Sequence, residues 1–177
     1  IRQDIYIMKL LMTFVFLLLS ITHLIATPLK VGVTAGPHAM IMEKVKELAK
    51  AEGIEIQLIE FNDFILPNAA LNDKELDINV YQHQPFLDEQ VKSRGYKIKS
   101  AGKTVLMPLG IYSNTLTKLA NLKDKSKIAI PSDPTNEGRA LKLLEKEGLI
   151  KLTSSENPSI LDIVNNPKEL TILEIEA

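Results

Sequence analysis

From Leu29 onward the chain repeats one pattern: a short apolar run, a turn bearing glycine or proline, and a segment with helical spacing. Leu29 to Val33 reads as a buried strand, and Gly36 with Pro37 as a turn whose proline is placed to start a helix. From His38 to Glu52 the apolar positions Met42, Val45, Leu48 and Ala49 follow helical spacing, and Gly53 supplies a stop. Ile54 to Glu60 alternates as a second strand through Ile54, Ile56 and Leu58. Asn62 to Asn68 is a loop entering a short helix, Asp77 to Tyr81 a third strand, and Pro85 to Arg94 a helix closed by Gly95. This β-α-β-α-β-α order argues for a parallel sheet with helices on its faces.

Lys103 to Tyr112 reads as one or two extended segments leaving this unit, and Ser113 to Ser126 turns polar. A second unit follows. It has a strand from Lys127 to Ile130, a loop over Pro131 to Thr135, and a helix from Asn136 to Glu147 with Gly148 as its stop. A short helix from Ile160 to Val164 and a strand from Leu170 to Ile175 complete it. The expected fold class is α/β with two lobes, the first over residues 27–115 and the second, partial, over residues 116–177.

Residues 1–26 have a different character. Met8 and Lys9 precede an apolar run from Leu10 to Leu19, and Ser20 begins a stretch ending at Ile25 and Ala26. A basic start, a short apolar run and a small residue at a cut site have the form of a secretory signal. The run falls short of the ~20 apolar residues of a membrane-spanning helix. A buried core helix is the alternative, but a segment apolar on all sides finds little to pack against at the edge of a chain. Ile1 to Ile7 read as upstream of a natural start at Met8, and the strand-like Leu170 to Ile175 reads as the edge of a chain cut short.

Composition closes several routes. With 21 basic and 22 acidic residues interspersed over 177 positions, there is no electrostatic reason to expect nucleic acid. Cysteine is absent, so no disulfide, thiolate metal site or cysteine nucleophile is available. No phosphate-binding glycine loop, dinucleotide fingerprint, paired-histidine metal spacing or serine-nucleophile elbow occurs. No cofactor and no metal are therefore expected.

Ligands of open α/β sheets sit beyond the carboxyl ends of the strands. Phe64 lies past the second strand, Tyr81, Gln82, His83 and Phe86 past the third, and Thr135, Asn136 and Arg139 past the strand ending at Ile130. These residues suit a small zwitterion with an apolar side chain. Phe64, Tyr81 and Phe86 offer polarizable walls of the kind that favour a thioether sulfur. Arg139, read in the first turn of its helix where free N–H groups and the dipole favour an anion, offers a bidentate clamp for a carboxylate. Plainer readings stand beside these. The aromatics could be core, Arg139 a solvated helix residue, His83 a polar residue at a helix start, and Asn136 a helix cap. His83 with Asp63 or Asp88 could also form the acid–base pair of an enzyme.

Three segments, Phe61 to Asn68, Tyr81 to Asp88 and Asp133 to Arg139, together with Val31 to Pro37, resemble motifs of the MetQ/NlpA family of methionine-binding proteins, in that family's order. The likeness runs from about Leu29 to Ala177. It implies a two-lobe periplasmic-binding-protein fold of type II, the second lobe incomplete in this chain, with methionine in the cleft. It also implies a binding protein that is not an enzyme, delivering its ligand to an ABC permease driven by a cytoplasmic ATPase and meeting the membrane only through that transporter. The family's motifs would place Phe64, Tyr81, His83 and Phe86 around the ligand's side chain and Asn136 and Arg139 on its carboxylate.

The sequence departs from the family pattern in three respects. The family usually carries a cysteine after the signal for lipid attachment; its absence implies a soluble periplasmic species cut at Ala26. Phe64 stands where tyrosine is frequent, which costs a hydroxyl and little packing. Family members continue further, on the order of 100 residues by usual domain size, through a part that holds the ligand's amino group with asparagines. A truncated or decayed gene product with impaired binding is therefore the alternative reading. A sensor domain on the same fold would need a DNA-binding or signalling segment.

Overall fold

A computed structural model describes residues 27–176. The expected upstream residues and signal, together residues 1–26 with the cut at Ala26, lie outside the described residues. Strand β1 (Leu29–Thr34) lies between β2 (Ile56–Phe61) and β3 (Ile78–Val80), and both run parallel to it. A central parallel strand is covered on both faces, which is why β1 shows no alternation after Lys30: Val31, Gly32, Val33 and Thr34 are all buried. Gly32 permits the close approach, because a Cβ there would stand 2.5 Å from Leu76 Cδ1 and 3.2 Å from Phe61 Cε2.

Helix α1 (Pro37–Ala51) starts on proline, where the missing N–H has no partner to lose. It meets the sheet along a narrow stripe in which Ala39, Met42 and Ala49 pack on Val31, Val33 and Ile56. Val45 and Leu48, which share the helical spacing of Met42 and Ala49, are 38% and 61% exposed. The small alanines let the helix lie close, and residues beside the stripe are left outside. The second strand begins at Ile56 and not at Ile54, since the amide of Ile54 is spent on Ala49 O at the end of α1.

Helix α2 (Leu66–Asn72) follows β2, and helix α3 (Gln84–Arg94) follows β3. α3 carries Pro85 in its first turn and ends at Gly95, whose φ of 72° is the left-handed conformation that glycine adopts without strain.

The second sheet pairs β4 (Lys127–Pro131) in parallel with β7 (Thr171–Ile175). Helix α4 (Pro134–Lys146) covers it through Leu141 and Leu144, which join Ile130, Leu149, Ile150, Leu152 and Leu170 in one core. β5 (Lys151–Leu152) and β6 (Ile163–Asn165) form a small antiparallel pair. Only Ile160–Asp162 of the expected short helix is helical, as one 3₁₀ turn capped reciprocally by Ser159 and Asp162. The β-branched Ile163 and Val164 then continue as strand. Lys103 to Tyr112, read as one or two extended segments, joins no sheet among the described residues, and Leu106 is 89% exposed. The α/β class stands, with these boundaries corrected.

Candidate ligand-binding site

The loops leaving β2 and β3 meet over the carboxyl end of the first sheet. Asp63 bends the first loop by accepting the amides of Ile65 and Leu66 at 2.7 Å each, which turns the chain into α2. Tyr81 reaches across and donates its hydroxyl to Phe64 O at 2.9 Å. The rings of Phe64 and Tyr81 lie 6.1 Å apart, Tyr81 and Phe86 meet edge to face at 6.1 Å, and His83 stacks on Phe86 at 6.4 Å. These spacings fall in the favourable range for aromatic pairs. The four predicted ring residues thus form one continuous cluster. Tyr81 and Phe86 are buried, while Phe64 and His83 are half-buried. Burial, reinforced by the charge of Asp63, holds the Tyr81 phenol well above its ordinary range, so the hydroxyl remains a donor.

His83 occupies the N-cap position of α3, but its side chain caps nothing. Its Nε2 is buried without a hydrogen-bond partner among the described residues. Burial first, then the positive charge of Arg139, hold the imidazole below its ordinary value of 6.5, with Asp133 opposing. At neutral pH the ring is uncharged, and one of its nitrogens is an acceptor.

The second group grows from the β4–α4 loop. Asp133 is the N-cap of α4: its Oδ1 accepts from Asn136 N at 2.9 Å and from Thr135 Oγ1 at 2.8 Å. Its Oδ2 accepts from Asn136 Nδ2 at 2.9 Å, which leaves Asn136 Oδ1 facing Arg139 Nη1 at 2.8 Å. Arg139 Nη2 reaches Met107 O at 3.4 Å. Two expectations are corrected. The cap is Asp133 and not Asn136, and because α4 starts at Pro134, Arg139 lies in the second turn, away from the free N–H groups. The aspartate–proline pair at 133 and 134 carried that signal in the sequence, as cap followed by first helical residue.

The two groups face one another across α3 and α4, which pack together, and the charges of Arg139 and Asp133 both act on His83. Beside them opens a cavity of about 330 Å³ lined by Phe64, Phe86 and Gln90 on one side and Ser132, Asp133 and Pro134 on the other. That is near the lower end of small-molecule pockets, about 300–1,000 Å³. Of the six predicted residues, Phe64 and Phe86 line it, and Tyr81, His83, Asn136 and Arg139 do not.

The NlpA lipoprotein family profile matches residues 29–177. The chain belongs to the NlpA lipoprotein family. Among relatives, the D-methionine-binding lipoprotein MetQ of Salmonella typhi is 48% identical over 152 residues, covering 84% of this chain and 56% of that protein. A nutrient-binding protein from Burkholderia cenocepacia, solved bound to methionine, superposes with a TM-score of 0.79 at 49% identity, covering 84% of this chain and 64% of that one. The crystal structure of the methionine-binding protein MetQ gives a TM-score of 0.81 at 45% identity, covering 84% and 62%. This NlpA-family chain thus has the α/β fold of the family's binding proteins and spans about half the length of the curated relatives it matches. Those relatives are named for binding and not for catalysis.

Acid should weaken the fold through His83. Because its folded pKa is depressed, the unfolded chain binds the proton more readily, so its contribution is present above pH 6.5 and lost as pH falls below it. Thermal unfolding midpoints at pH 7 and pH 5 are expected to differ less in His83→Gln than in the parent. Equal differences would show that the imidazole is not desolvated as described.

Proposed function

We propose that this NlpA-family protein captures methionine, or a close analogue, outside the cytoplasm and delivers it to an ABC permease driven by a cytoplasmic ATPase. The observation that carries this reading is the convergence on His83 of the ring cluster and the Asn136–Arg139 pair, in a chain nearly half identical to methionine-binding proteins. In this reading Phe64, Tyr81 and Phe86 enclose the apolar side chain and favour its thioether sulfur. Arg139 takes the carboxylate, oriented by Asn136, which Asp133 holds in turn. The buried Nε2 of His83, which has no hydrogen-bond partner among the described residues, gains one from the ligand; an unsatisfied buried group of this kind costs about 1–3 kcal/mol.

Residues 27–115 and 116–177 serve as the two lobes of the cleft; separate buried cores, around Val31 and around Leu141, support two lobes, with Leu109 of the first range packing on the second core. Residues 8–26 act as the export signal, and the protein works as a soluble periplasmic species that meets the membrane only through its transporter. The role is capture, with no cofactor, metal or turnover, and not acid–base catalysis by His83. Calorimetric titration with methionine, leucine and glutamine tests the reading. Saturable binding selective for methionine is expected, whereas chemical turnover of any amino-acid derivative would overturn it.

A further inference from the structure

We propose that Asn68, Asn79 and Gln82 form a positioning lock that sets the two ring-bearing loops at their mutual spacing; its effect on ligand affinity rests on the methionine-site reading above. Asn68 is fully buried in the first turn of α2, so it cannot itself touch a ligand in the cleft. Its Oδ1 accepts from Asn79 Nδ2 at 2.9 Å and from Gln82 Nε2 at 2.8 Å, and its Nδ2 donates to Gln82 Oε1 at 2.8 Å. Asn79 Nδ2 also donates to Pro67 O at 3.1 Å, and Gln82 Nε2 to Asn79 Oδ1 at 3.3 Å. Three side-chain amides therefore close on one another, and two of them meet donor to acceptor in both directions.

The placement gives this network its purpose. Gln82 stands between Tyr81 and His83, while Asn68 lies four residues beyond Phe64, in the first turn of α2. Holding Gln82 against Asn68 therefore holds one pair of rings against the other loop. Among the described residues, the Phe64 loop is otherwise held by its internal turn at Asp63, the bond from Tyr81 to Phe64 O and the contact of the Phe64 and Tyr81 rings. Apolar side chains of similar shape could fill this volume at little cost in stability. They could not fix which way Gln82 faces, and a fully satisfied buried polar network does fix such a choice.

The test uses Asn68→Leu, which keeps the volume and removes the amide, and Asn68→Asp, which keeps the accepting oxygen and loses the donation to Gln82. The first readout is the proton–proton contact between the Phe64 and Tyr81 rings in ligand-free protein, followed by NMR. The second is the methionine Kd. Asn68→Leu is expected to lose the ring contact while the Leu141 methyl resonances stay in place. Its Kd should rise by about tenfold, the cost of ordering two ring-bearing side chains on binding. Asn68→Asp should fall between it and the parent. A folded Asn68→Leu protein with the ring contact intact overturns the proposal. If that variant does not fold, Gln82→Met at a half-buried position is read in the same way. If the parent does not bind methionine, the ligand reading fails, and the ring contact still decides whether the lock exists.

Discussion

Leu141→Ala is expected to lower stability by about 2–5 kcal/mol, the range for deleting a fully buried leucine side chain from a close-packed core. Leu141 is 0% exposed on the inner face of α4, enclosed by Ile130, Leu144, Leu149, Ile150, Leu152 and Leu170. The loss combines the transfer free energy of the removed carbons with the cavity they leave. β4, β5 and the loop to β7 all contribute to the wall, so the site cannot collapse by moving one element. The expected result is a fall in the urea midpoint with an unchanged slope. A loss below about 1 kcal/mol would mean that the second core relaxes around the gap and is more loosely packed than its burial indicates.

The next largest effect is on binding. Arg139→Ala is expected to weaken methionine by about 1.5–3 kcal/mol, the worth of a hydrogen bond to a charged group, or about 10- to 150-fold in Kd. Its guanidinium is placed by a chain of contacts running from Asp133 through Asn136, so its direction is set before a ligand arrives. Arg139→Lys should recover only part of the affinity, because an ammonium keeps the charge but not the two-pronged geometry. Calorimetry on both variants reads the effect, with unfolding midpoints as the control for stability. Unchanged affinity in Arg139→Ala would remove this residue from the site.

The local order of the chain was legible because it is written in local chemistry. β1 shows itself by an unbroken apolar run, and the helices by prolines at their starts and by Gly53, Gly95 and Gly148 past their ends, all three with positive φ. What spacing could not supply was set by neighbours distant in sequence. Val45 and Leu48 have helical spacing, yet the stripe that meets the sheet runs through Ala39, Met42 and Ala49. β5 is two residues long and exists by pairing with β6, so no periodicity announces it.

The site divides in the same manner. Phe64, Tyr81, His83 and Phe86 were placed together because strand ends point their loops to one edge of a sheet, and the structure joins them into a cluster. Asp133 went unselected although its cap signal was present. The Asn68–Asn79–Gln82 network had no local signal at all, since its partners lie 11 and 14 residues from Asn68.

The measurement to make first is a methionine titration of the protein, expressed from its whole reading frame, followed through the aromatic and imidazole NMR resonances. Saturable shifts at Phe64, Tyr81, Phe86 and His83, reproduced by neither glutamine nor leucine, are the predicted result. A folded protein that does not bind methionine, or binds it while those four rings stay unmoved, would contradict the assignment of this site.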